Sequence, residues 1–226
     1  MPSYFTLTLD TTGPANPSLS INAGATYATA QLVDLAIGTS DGATTGYQMK
    51  IWGDVDTAYD TNVQATEAAS SWITFSTSKQ VKLSAGDGAK TINVKIRDDV
   101  FNESAQASDS INLDTTRPVV TISGPDVAKI SEVSGKDAAS FSFTVDSAFV
   151  EYKVKVVSSS GSAENTGTQI GTTNGSTNMS GTAGNYAAST AINCTIDASD
   201  LKAASAGDGA KVIKVFVKDA AGNWSV

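Results

Sequence analysis

Apolar residues recur at every second position wherever they gather along the chain. Tyr47, Met49 and Ile51 alternate with Gln48, Lys50 and Trp52, and the same spacing runs through Val33, Leu35 and Ile37 and through Ile92, Val94 and Ile96. It returns in the second half as Phe141, Phe143 and Val145, as Val150, Tyr152, Val154 and Val156, and as Ile213, Val215 and Val217. Successive side chains of an extended chain point to opposite faces, so each run predicts a strand with one buried and one solvated face. β-Branched residues are frequent in these runs, turn residues separate them, and no stretch of a dozen residues carries a helical stripe. About six to eight short antiparallel strands per half predict an all-β chain of two tandem immunoglobulin-like β-sandwich modules.

Two repeated motifs divide the chain. LDTTGP at residues 9–14 returns as LDTTRP at residues 113–118, and SAGDGAK at residues 84–90 returns at residues 205–211, each copy leading into an alternating run. One module is therefore present twice, as residues 1–114 and 115–226. The first motif pair is 104 positions apart and the second 121, so the second copy holds 17 additional residues between its motifs. Residues 158–184, rich in Ser, Gly, Thr and Asn with almost nothing to bury, are expected to hold them as an exposed loop or loose hairpin. In SAGDGAK, Gly86 and Gly88 can take positive φ and Asp87 can hydrogen-bond locally, which predicts a sharp turn. A phosphate-cradling loop would run into a helix, and here an alternating strand comes next.

Composition narrows the chemistry. The 226 residues contain no histidine, which removes Ser-His-Asp and Cys-His catalysis and imidazole zinc sites. The lone Cys194 can form no internal disulfide, and the 121-residue shift aligns it with Ile73, an inward position, so it reads as a small core residue. A net charge of −8 argues against nucleic acid and anionic membranes as partners. The start MPSYFTLTLD shows neither a basic region nor a long apolar one, and no stretch approaches a membrane span, so a chain made soluble and not exported by the usual signal is expected. The five glutamates form no recognisable glycosidase pair, and no cofactor is implied, so the chain reads as non-enzymatic.

Other residues admit a binding role. Asp10, Asp98, Asp99, Asp114 and Asp219 fall near predicted strand ends, where they are either solvated charges or oxygen donors for calcium. Asp54, Asp56 and Asp60 share a loop but lack the glutamate of a helix-loop-helix calcium site. Trp52, Tyr59, Trp72 and Trp224 offer flat faces for a host-surface glycan, or are ordinary sandwich residues and interface anchors.

Residues 9–14, the stretch SWITFSTSKQVKLSAGDGAKTINVKIRDDVFNES at 71–104 and GDGAKVIKVFVKDAAGNWS at 207–225 resemble the Ig-like repeats common in bacteriophage structural proteins and bacterial surface proteins. The resemblance covers both modules. It implies a non-enzymatic virion component of tail, baseplate or capsid surface, with other virion proteins as partners. Where that family commonly has Tyr, this chain has Asn93 and Lys214. The acidic, threonine-rich surface suits a particle outside a cell.

The repeats are out of phase with the chain. After Asn102, Glu103 and Ser104 the first module continues into QASDSINLD, and after Asn223, Trp224 and Ser225 the second has no such run. The segment SYFTLTLD at residues 3–10 aligns instead with ASDSINLD at 107–114, placing Phe5, Leu7 and Leu9 on one side and Tyr4 on the other. This segment is expected either to pair within the first module or to fill an open sheet edge of another subunit, which would make a homo-oligomer.

Overall fold

The computed structural model describes residues 3–182 and 184–226. The chain divides into two compact units, Met1–Thr115 and Thr116–Val226. Each is an immunoglobulin-like β-sandwich.

Unit 1 contains β1 (Ser18–Ile21), β2 (Tyr27–Ala28), β3 (Leu32–Gly38), β4 (Gln48–Gly53), β5 (Ile73–Thr74), β6 (Ser78–Lys82), β7 (Gly88–Arg97) and β8 (Ala107–Leu113). One sheet has the order β1-β3-β6, the other β2-β8-β7-β4-β5, and only the short β2 runs parallel to its neighbour. Val33, Leu35 and Ile37 of β3 and Ile92, Val94 and Ile96 of β7 point into one core, the burial that period-two alternation demands. Trp52 breaks the alternation. It comes directly after buried Ile51 and is itself only 8% exposed. The chain after β4 folds back along it: Trp52 forms a parallel bridge with Gln64, and the Gly53 N–H donates to the Gln64 carbonyl at 3.1 Å. Val63 on that loop is buried.

Unit 2 contains β9 (Val120–Ser123), β10 (Ala138–Val145), β11 (Glu151–Val157), β12 (Thr168–Gln169), β13 (Ser180–Gly181), β14 (Ile192–Asp197), α1 (Ala198–Ala204) and β15 (Val212–Lys218). One sheet has the order β14-β10-β9. In the other, β15 pairs with one side of β11 while β12 and β13 share its opposite side. Phe143, Phe149, Tyr152 and Tyr186 pack ring against ring at the centre, with Phe149 and Tyr186 stacked at 4.7 Å. Burial there pushes the Tyr152 hydroxyl up to about 12.

Residues 158–182 are not the loose loop that the composition of 158–184 suggests. Ile170 and Met179 are buried in the core, and β12 and β13 seal the edge of β11. The Ser-rich part folds over the outer face: Lys153 pairs with Glu164 at 2.7 Å, Lys155 reaches the Glu164 carbonyl, and Lys214 donates to the carbonyls of Ser160 and Ser162 at 2.7 and 2.8 Å. Gly181 is required where β13 crosses the aromatic cluster, since a Cβ there would stand 2.1 Å from the Tyr186 hydroxyl.

The additional residues of the second copy are also divided differently. Seven of them form α1, inserted between β14 and the GDG turn. Asp197 caps the helix by accepting from the N–H groups of Ser199 and Asp200 at 2.8 and 3.3 Å, and good helix formers come after it. The 121-residue shift therefore fails upstream of this helix. Cys194 belongs to β14, opposite Phe141, whereas Ile73 belongs to β5, opposite Met49.

Candidate interaction surface

The same turn closes the end of β7 and of β15. The Asp98 carboxylate accepts from the N–H groups of Val100 and Asn102 at 3.0 and 2.8 Å and from Asn102 Nδ2 at 2.9 Å. Asp219 accepts from the N–H groups of Gly222 and Asn223 at 2.8 Å each and from Asn223 Nδ2 at 3.0 Å. Ser104 and Ser225 then bracket Ile96 and Val217 with matching pairs of bonds. The pattern Asp, three residues, Asn, one residue, Ser stands in both copies of the sequence and was the legible signal. Asp98 and Asp219 are thus turn caps, neither solvated charges nor metal donors. Burial raises the Asp98 carboxyl, but the bonds from Asn102, Val100 and Phe101 outweigh it and hold the group below its ordinary range.

Beyond the turn the units diverge. In unit 1 the chain returns along β7 as β8, from Ala107 opposite Val94 to Leu113 opposite Gly88. Ile111 and Leu113 are buried, and the Asp109 carboxylate accepts from the Ile21 N–H of β1 at 2.8 Å. Asp87 in the GDG turn then accepts from the N–H and Oγ1 of Thr115 at 3.0 and 2.9 Å, fixing the chain as it leaves β8. In unit 2 the return reaches only the bridge between Trp224 and Lys218, and among the described residues no strand covers the rest of that β15 edge.

A groove of about 1000 Å³ lies beside the start of that edge, walled by Ile122 and the segment 124–132 after it, by α1, and by the GDG turn with Ile213. Ile122, Val127, Ile130, Phe141, Leu201 and Ile213 line it. Ile122 on β9 is 45% exposed, whereas Ile21 on the corresponding strand β1 is 1% exposed. Ile213 and Lys211 are half-buried where their counterparts Ile92 and Lys90 are buried. The two GDG turns nonetheless match, with φ of 85° and 125° at Gly86 and Gly88 and of 77° and 121° at Gly207 and Gly209. The α1 wall is anchored by buried Asp200, which accepts from the N–H groups of Asn174 and Ser176 at 3.0 Å each and from Asn174 Nδ2 at 2.9 Å. Burial opposes ionisation of Asp200, and these bonds reverse the effect and lower its pKa.

Residues 3–10 form no strand. Tyr4, Phe5, Leu7 and Leu9 are 84% to 88% exposed, so pairing within the first module is not what the chain does. Among the described residues the segment is tied at its end, where Asn102 Nδ2 donates to the Asp10 carbonyl at 3.3 Å.

The other aromatics offer less to a ligand than their number in the sequence suggests. Trp52 is buried and presents no face to one. Tyr59 is about half exposed, its hydroxyl 3.3 Å from Gln80 Oε1. Trp72 lies under Lys50 and Arg97 at 4.8 and 4.4 Å, and Trp224 under Lys153 and Lys218 at 4.6 and 5.2 Å. Asp54 accepts from the Thr91 N–H at 2.9 Å, Asp56 pairs with Lys82 at 2.8 Å and Asp60 with Lys79 at 2.7 Å, so this loop's carboxylates pin it to the sheet. Cys194 is buried and its thiol is pushed up to about 11, away from thiolate chemistry at neutral pH.

No protein-family model matches the chain, and no curated protein matches it. Among solved structures it is similar to the fibronectin(III)-like modules of Clostridium thermocellum CbhA, at 11% identity and a TM-score of 0.47, over 92% of this chain and 89% of that one.

Proposed function

We infer that the protein is a non-enzymatic structural element of a bacteriophage particle, in its tail, baseplate or capsid decoration, working through contacts with other proteins. The interaction role rests on the edge of β15 with its apolar groove. A strand edge offers a row of backbone donors and acceptors, and a groove beside it takes alternate side chains, which together suit an extended polypeptide. The particle itself is suggested by the sequence resemblance and by the net charge of −8, which keeps a multi-copy surface protein dispersed. Particle composition tests this. Gradient-purified virions from the source should contain the chain and bind antiserum raised against it. Label confined to the host envelope would replace the reading with an adhesin.

Half-exposed Tyr59, on a loop held rigid by Asp56 and Asp60, supports a second reading as a receptor- or glycan-binding module. Glycan-array binding that disappears in Tyr59→Ala would favour it.

A further inference from the structure

We propose that residues 3–10 of one copy add to the free edge of β15 in a second copy, supplying to unit 2 the strand that β8 supplies to unit 1. This goes beyond membership of any particular particle and holds or fails independently of it.

The two repeats fix the register. LDTT aligns residues 3–9 with β8, and GDGAK aligns β15 and its approach with β7. Ala107 opposite Val94 becomes Ser3 opposite Val215, Asp109 opposite Ile92 becomes Phe5 opposite Ile213, and Leu113 opposite Gly88 becomes Leu9 opposite Gly209. In β8 the inward positions are 107, 109, 111 and 113. Their counterparts are Ser3, Phe5, Leu7 and Leu9, so the exposed apolar residues fall on the groove side, while Tyr4, Thr6 and Thr8 fall on the outer face.

Two local details agree with this occupant. Asp109 serves unit 1 by accepting from the Ile21 N–H, and its counterpart is Phe5, suited to the exposed Ile122 on the strand that corresponds to β1. Asp87 grips Thr115 after β8, and its counterpart Asp208 is exposed beside the groove. The residue in the place of Thr115 is Thr11, so the Asp208 carboxylate would accept from the N–H and Oγ1 of Thr11.

Among the described residues of one copy, the segment stands exposed and no strand pairs with that β15 edge, so the proposed acceptor is a second copy. Asp10 is held at the 98–104 turn, and a Cβ on Gly13 would stand 2.2 Å from the Glu103 carbonyl, so the chain hugs that end of unit 1. The chain leaves unit 1 at the other end of β8. All of residues 3–9 are needed in the strand, and a second copy can present its β15 edge to them. Each copy then donates once and accepts once, a heterologous contact that closes a ring or extends a fibre.

Sedimentation of the full chain tests this, together with oxidation of Thr8→Cys, Ala210→Cys in a Cys194→Ser background, the pair placed directly opposite by the register. We expect concentration-dependent multimers and a disulfide-linked ladder. Phe5→Asp with Leu7→Asp, at positions exposed in the isolated fold, should leave folding intact and weaken association by about a hundredfold or more. A synthetic peptide of residues 3–12 should raise the melting temperature of that variant. A chain monomeric at every concentration, a disulfide closed within one chain, or association untouched by the Asp substitutions would overturn the proposal. Absence of the chain from virions would sink the particle assignment and leave this contact standing.

Discussion

Units 1 and 2 carry the same turn at the end of the same strand and differ in the segment beyond it. Ile92 and Ile213 occupy equivalent positions in equivalent alternating runs, yet the first is fully buried and the second is not. The difference does not lie in β7 or β15. It lies in β8, whose Ile111 and Leu113 close the sandwich of unit 1 and whose counterparts Leu7 and Leu9 stand in solvent. A strand's own pattern thus decides which face turns inward, and its neighbour decides whether that face is dry.

The sharpest test of this comparison truncates matching residues. Ile111→Ala or Leu113→Ala removes a buried side chain and should cost unit 1 about 2 to 4 kcal/mol in chemical denaturation. Leu7→Ala or Leu9→Ala in dilute monomer should stay within about 0.5 kcal/mol, because nothing packed is lost. Equal costs at the two sites would mean that residues 3–10 are already docked in the monomer.

The turn should behave oppositely, since it is complete in both units. Asp98→Ala and Asp219→Ala each strip a carboxylate that accepts two backbone N–H groups and an Asn amide, and each should destabilise its own unit by about 2 kcal/mol. A large effect in unit 2 alone would show that β8, and not the cap, holds the turn of unit 1.

Residues 158–184 provide a smaller contrast. Glu164→Gln weakens the pairing with Lys153 and Lys155 and should cost about 1 kcal/mol or less, read as faster amide exchange in residues 158–166 with the core unchanged.

The smallest expected effect is in pH dependence. Asp98 and Asp200 both have carboxyls lowered from 3.8, so the folded state binds their protons less tightly than the unfolded chain. Their contribution is complete above that value and declines as pH falls below it through the folded pKa. Thermal midpoints measured between neutral pH and about pH 3 should drop at the acidic end, and Asp98→Asn with Asp200→Asn should flatten that drop.

Much of this architecture is written locally. Period-two runs mark β3, β4, β7, β10, β11 and β15, and the duplicated GDGAK marks two turns with nearly equal φ. Asp, three residues, Asn, one residue, Ser was equally available as a hydrogen-bonding pattern, although acidic residues at strand ends first suggest solvent or calcium. Three features were hidden. Trp52 alternates as an outward residue and is buried because residues 54–71 fold back across it. Residues 158–184 have the composition of a loop and are held because three lysines on the outer face of β11 and β15 find Glu164 and serine carbonyls. Helix α1, only 7 residues long, is too short for a periodic signal and forms on the Asp197 cap and the buried bonds of Asp200.

The sequence by itself determined the long alternating strands, the duplication and the turns, because each depends on residues within a few positions of one another. Only the tertiary structure decided which faces are covered, which polar stretches are pinned and which sheet edge stands open. Those outcomes depend on segments brought together across a sandwich, and alternation along one strand carries no record of its neighbours.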